Sequence, residues 1–293
     1  MAVQKTARLE RADGYVFSGT GNTLLAVRAA ARGLAGAGIP VRLRSLDLGY
    51  VPPEGHPDRS LLLLACTVAV FSTYPWVWEF LEALPPGGGR PAAFLDTLGG
   101  FSGGLVGPVR DLLERKGYVP LGAVEIRMPS NYRRKVEGPT GKERMLIEAG
   151  EERARAFAGE LLEGRAVWRG FPLGGPIHWL SVRPGLWRRI GGSAANAWVA
   201  DPKTCTRCGL CVSLCPTGNI RLEEGGPKVP ESGLGGIRSR PGALPSWGKR
   251  CGMCQRCFAY CPVGAVSVPG RSWGRYRPVG AGPAVGVEET FGN

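Results

Sequence analysis

Along residues 14–164 the chain alternates between the two hydrophobic periods of a layered α/β domain, about 2 in strands and about 3.6 in helices. Residues 14–17 make a short apolar strand that runs into a Gly-rich turn. Residues 22–38 repeat Leu and Ala at helical spacing until Gly38 and Pro40 stop them. Residues 41–48 alternate apolar and polar, as a half-buried strand does. Residues 61–71 are continuously apolar, as strands covered on both faces of a parallel sheet are. Residues 75–84 read as a short helix with Pro75 in its first turn, 92–95 as a strand and 105–116 as a helix closed by Gly117. A fifth strand over 119–128 and a long helix over 142–162 complete the series. The pattern predicts a doubly wound five-stranded parallel sheet, an α/β domain over residues 14–164 preceded by an extension, 1–13.

After Gly164 the regular patterning ends. Residues 165–200 form a Trp- and Pro-rich connector whose Trp179, Leu186 and Trp187 are expected to pack against a flanking domain. A cysteine-bearing region follows over 201–268, and a Gly/Pro-rich tail, 269–293, is expected to be irregular. The 46 Gly and 25 Pro agree with tight turns and loops. No run approaches the ~20 apolar residues of a membrane span. The N-terminus carries charge with no apolar run behind it, so neither a span nor a secretory leader is expected and a cytoplasmic location is.

Charge changes the picture only in the second half. Residues 1–164 carry 20 Lys/Arg against 18 Asp/Glu, whereas residues 165–293 carry 17 against 6, most of the +13 total. A basic surplus raises the question of nucleic acid. A docking face for an acidic redox partner protein is the preferred reading, with RNA, a membrane surface or a merely solvated face behind it. Nothing in the sequence sets an oligomeric state.

Eight of the nine cysteines fall in two runs, Cys205, Cys208, Cys211 and Cys215, then Cys251, Cys254, Cys257 and Cys261. Each has the spacing Cys-x-x-Cys-x-x-Cys-x-x-x-Cys-Pro, closed by Pro216 or Pro262. Three closely spaced thiolates wrap three corners of a cubane, and the fourth points toward the other cluster. The spacing therefore assigns Cys205, Cys208, Cys211 and Cys261 to one 4Fe–4S cluster and Cys251, Cys254, Cys257 and Cys215 to the other. Cys-x-x-Cys is also zinc spacing, but a zinc ion has no use for the crossed repeat with its trailing Cys-Pro. The ninth cysteine, Cys66, lies in an apolar strand as a small buried hydrophobe. The runs resemble those of the bacterial two-cluster ferredoxins, a small α+β fold, with a longer Gly/Pro-rich insertion over 223–249.

At the end of the first strand stands Ser18, Gly19, Thr20, Gly21, Asn22 and Thr23, opening a helix. Backbone N–H groups at a helix N-terminus attract an anion, and the two glycines allow the turn around it. A Walker loop needs Gly-Lys-Ser/Thr, and no Lys or Arg occurs from Gly14 through Val27; a dinucleotide fingerprint needs a third glycine where Leu24 stands. A monophosphate site built from neutral donors fits better, against a plain capping turn that holds nothing.

This loop resembles the phosphate loop of the flavodoxins, where FMN binds. The resemblance implies two flavin-ring loops: Ser72, Thr73, Tyr74, Pro75 and Trp76 after the third strand, and Thr97, Leu98, Gly99, Gly100 and Phe101 after the fourth. Residues 128–132 and the approach to the second cysteine run also look like segments of the flavodoxin–ferredoxin fusions called EFR-family ferredoxins. The resemblance covers residues 14–164 and about 200–268. It implies two 4Fe–4S clusters and FMN in an electron-transfer iron–sulfur flavoprotein. The alternatives are an FMN-dependent reductase of a small substrate fed by the clusters, and a cluster-bearing binding module with a vestigial flavin site. No dedicated catalytic acid, base or nucleophile is evident. His56 and His178 read as structural, and Asp96, at a strand end near the implied ring site, as a helix-capping or solvated residue, with aid to proton uptake behind that.

Overall fold

In the computed structural model, residues 9–47, 59–132, 134–182, 198–223, 243–283 and 286–292 are described. His56, Leu186, Trp187 and most of the insertion between the cysteine runs lie outside them. Five parallel strands carry the N-terminal half: β1 (Arg11–Val16), β2 (Val41–Ser45), β3 (Ser60–Thr67), β4 (Pro91–Leu98) and β5 (Val119–Arg127). They lie in the order β2-β1-β3-β4-β5, the flavodoxin-like winding. Helices α1 (Asn22–Gly36) and α4 (Gly141–Leu162) cover one face over Leu24, Leu34, Leu63 and Phe157. Helices α2 (Pro75–Ala83) and α3 (Val106–Arg115) cover the other over Leu64, Phe80, Phe94 and Leu113. Pro75 sits where its missing N–H costs nothing, and Thr140 with Glu143 closes a capping box at the start of α4.

Three expectations are corrected. The apolar run 61–71 is not one strand: β3 ends at Thr67, and Ala69 and Ser72 then close a two-residue turn with Val70 and Phe71 at φ 52° and 58°. Strand β4 extends beyond Leu95 because Asp96 and Thr97, polar in sequence, are fully covered. The connector packs, but not mainly through Trp179 as expected: its helix α5 (Gly174–Ser181) sits on the sheet half, with His178 against Trp78 at 4.3 Å between ring centroids. Trp179 remains 59% exposed.

Residues 198–223 and 243–268 form a small α+β unit. β6 (Val199–Ala200) pairs antiparallel with β9 (Val266–Ser267), and β7 (Ile220–Glu223) with β8 (Leu244–Trp247). Two one-turn helices, α6 (Leu210–Ser213) and α7 (Arg256–Ala259), each contain the third cysteine of a repeat, Cys211 and Cys257. Tail residues once expected to be irregular make β10 (Glu288–Phe291), which pairs antiparallel with β2 and turns the five-stranded sheet into a six-stranded one. Opposite charges hold it: Glu288 meets Arg42 and Glu289 meets Arg28.

Candidate cofactor sites

A cavity of about 360 Å³ opens at the carboxyl ends of the parallel strands, where doubly wound sheets bind ligands. One end is polar and small, made by Ser18, Gly19, Thr20, Asn22 and Thr23. The helix start leaves N–H groups there without intrahelical partners. The other end is apolar, walled by Val68, Ala69, Val70, Phe71, Leu98 and Met128, with Tyr74 at the side. Thr97 and Gly99 line it as well. A flat apolar ring system with an anionic end matches this division.

Hydrogen bonds fix the polar end. Gly21 N–H donates to Ser18 Oγ at 3.1 Å, and Asn131 Nδ2 donates to Thr20 Oγ1 at 3.0 Å. The Thr23 and Thr97 hydroxyls meet at 2.7 Å. Asn22 is engaged on both sides, donating to the Pro129 carbonyl at 2.9 Å and accepting from Tyr276 at 2.7 Å. Its amide is thus a brace of the loop rather than a free phosphate donor.

Several residues assigned to ring loops lie elsewhere. Trp76 stacks on Tyr74, 4.5 Å between centroids and 14° between planes, and lies over Gly252, whose Cβ would sit 2.4 Å from the Trp76 ring. Ser72 Oγ accepts from Trp78 Nε1 at 3.1 Å, and Thr73 donates to the Thr67 carbonyl at 2.9 Å. Pro75 begins α2, Gly100 is exposed, and Phe101 meets the rings of Phe71 and Phe171 at the surface. Gly21 lies outside the lining, turned by its φ of 114° against Ala281 and Tyr260.

Sequence reasoning missed the contribution of the cysteine half. Gly252 and Met253, inside the second run, line the same cavity. Gly19 is where the backbones meet: a Cβ there would stand 2.6 Å from the Cys254 carbonyl. Arg256 bolts the contact. Its side chain is fully buried, donates to the Ser18 carbonyl at 2.9 Å and to Asp47 at 2.7 Å, and lies 4.7 Å over the Phe17 ring. The only signal in sequence was an arginine between two cysteines.

The eight clustered cysteines divide between two further, small cavities. Cys205, Cys208, Cys211 and Cys261 line one; Cys215, Cys251, Cys254 and Cys257 line the other, on the side of the larger cavity. All are free thiols. Burial, aided by neighbouring thiolates, pushes Cys211 and Cys254 up to about 12, so thiolates gathered this way call for a cationic core. Among the described residues no three His, Cys, Asp or Glu side chains are arranged to hold a single metal ion. Each set of four thiols lines a small space of its own, which fits a body with several corners. Cys66 is buried in β3 and belongs to neither set.

Residues 204–266 match the family described as the 4Fe-4S dicluster domain. Over 73 residues the chain is 30% identical to the DNA-directed RNA polymerase subunit Rpo3 of Methanosarcina mazei and 29% to that of Methanosarcina acetivorans, covering 25% of this chain. It spans 22% of the length of those curated relatives. Among solved structures, an archaeal flavodoxin aligns with TM-score 0.36 and 15% identity, over 52% of this chain and 98% of that one. A diflavin flavoprotein A3 from Nostoc sp. aligns with TM-score 0.30 and 13% identity, over 54% and 96%. Strand order and the family match together make this chain a flavodoxin-like domain joined to a 4Fe–4S dicluster domain. Among the described residues no helix is long and apolar enough to cross a membrane.

Proposed function

We propose that the protein is an electron-transfer iron–sulfur flavoprotein that holds two 4Fe–4S clusters and one FMN and relays electrons between them. The observation that carries the reading is the shared wall: Gly252 and Met253 of the second cysteine run line the cavity begun by the Ser18–Thr23 loop. Clusters exchange single electrons, whereas a flavin takes one or two, so their combination converts single electrons into pairs. Cys205, Cys208, Cys211 and Cys261 would hold the outer cluster, and Cys215, Cys251, Cys254 and Cys257 the one beside the flavin cavity. The helix start at Asn22 would take the phosphate, and Val70, Phe71, Leu98 and Tyr74 would enclose the ring. Tyr74 stays a neutral phenol, because burial and then Cys254 and Cys251 drive its proton affinity up. The basic excess of residues 165–293 suits an acidic protein as the external donor or acceptor.

Purification without oxygen is expected to give about eight iron, eight sulfide and one releasable FMN per chain. Iron near zero with stoichiometric zinc would sink the cluster reading, and full iron without flavin would leave a cluster-bearing binding module. Cys215→Ser is expected to damage the cluster on Cys251, Cys254 and Cys257. Loss of the Cys205 cluster instead would overturn the crossed ligation.

A further inference from the structure

Buried N–H groups rarely go without an acceptor, because each one left unpaired carries its full desolvation cost with nothing to offset it. Among the described residues seven buried side-chain polar atoms find no partner, and three of them line the two cysteine cavities. Two are on the side of the flavin cavity: the indole N–H of Trp247 and the side-chain amide nitrogen of Asn219. The third, Nε of Arg207, lines the outer cavity.

Each is held in place by its other contacts. Asn219 Oδ1 accepts from the Arg250 backbone N–H at 2.7 Å, which turns the opposite edge of the amide to its unpaired side. The Asn219 backbone N–H already donates to Cys215 Sγ at 3.2 Å. Trp247 lines this cavity with Cys257, and the Cys257 sulfur is the acceptor its N–H faces. The second indole at this cavity, Trp198, is engaged, donating to Met253 Sδ at 3.2 Å. Arg207 is 6% exposed and lines the outer cavity between Cys205 and Cys208. It holds the place in the first run that Met253 holds in the second.

We propose that these groups donate hydrogen bonds to cluster sulfur and set the two potentials separately, Trp247 and Asn219 for the cluster beside the flavin cavity and Arg207 for the outer one. The inference rests on the reading of the two cavities as cluster sites. A donor to sulfur stabilises the more negative, reduced cluster and so raises its one-electron potential. Neutral donors serve the inner cluster and a guanidinium the outer one, so the same cysteine spacing yields two different centres.

The test is a redox titration of the full chain carrying its clusters and flavin, followed by electron paramagnetic resonance. Cys208→Ser marks the outer cluster's signal. Trp247→Phe is expected to lower the inner step by about fivefold in its equilibrium constant, about 40 mV for one electron, and to leave the outer step in place. Arg207→Met, which installs the residue of the other run, is expected to lower the outer step by more and spare the inner one. Asn219→Asp, which keeps the Oδ1 acceptor, repeats the inner shift should Trp247→Phe not fold. Steps that move together, move in the wrong variant or do not move overturn the assignment. Wild-type protein without iron and sulfide would instead defeat the cluster reading, and that is known before any titration starts.

Discussion

The sheet half and the cysteine half bury polar groups in opposite ways. In the sheet half a buried charge has a protein partner or gives up its charge. Arg90, at 2.8 Å from Asp13, ties the start of β4 to β1 and also donates to the Ser60 and Leu61 carbonyls. Asp96, with both oxygens buried and unpaired, is held neutral by burial, and next by the nearby Glu125. In the cysteine half eight free thiols, Cys257 buried and the others half-buried, gather with three buried N–H donors that find no oxygen or nitrogen acceptor among the described residues. Its apolar core is also slight, centred on Trp198, Ile220, Phe258, Val266 and Val268. One half is complete as a polypeptide; the other is complete around a metal–sulfur core.

The largest effect that separates the halves is expected from removing iron with a chelator under anaerobic conditions. Hydrogen exchange is expected to show loss of protection across residues 198–268 while β1, β3 and β4 keep theirs. Equal loss in both halves would show that the sheet half leans on the clusters too.

Smaller, and aimed at the contact itself, is Arg256→Met. Removing a fully buried guanidinium takes from Asp47 its cationic partner, leaving it Ser45 Oγ and the Gly286 N–H as donors, and takes from the Ser18 carbonyl its side-chain donor, at about 2–4 kcal/mol by denaturant unfolding. Asp47 is 29% exposed on its side chain, which keeps the figure below that of a wholly buried pair. Flavin retention is expected to fall with it, since the Ser18 loop loses its support.

The smallest effect concerns Asp96. Its folded pKa lies above its unfolded one, so the native state binds more protons and stability falls as pH rises from about 4 toward the raised value. Asp96→Asn is expected to change little at pH 4 and to gain about 1–2 kcal/mol over wild type at pH 8. Denaturation at the two pH values checks this, and a pH-independent difference would count against a neutral Asp96.

Much of the fold was legible because its signals are local. The Leu and Ala spacing of α1, Pro75 before α2 and the cysteine repeats each declare themselves within a dozen residues or so. Errors arose where burial and polarity part company. Asp96 and Thr97 read as the end of a strand yet are covered, and Val68–Phe71 read as strand yet make a turn with two left-handed residues at the cavity wall. The pairing of β10 with β2 could not be read locally, since the partners lie more than 240 residues apart and meet through charge. The same holds for Gly252, Met253 and Arg256, whose role appears only when the two halves meet.

That last strand has a consequence for how the halves stay together. The cysteine unit is bracketed, with α4 and α5 entering from the sheet half and β10 returning to it. Both of its tethers are anchored, so it behaves as a guest inserted into a host domain rather than a pendant on one leash. If the Arg256 contact opens, re-closure is an intramolecular event at an effective concentration on the order of millimolar. In the proposed relay, chain connectivity would keep the distance between centres short, and no diffusional search would stand between one electron and the next.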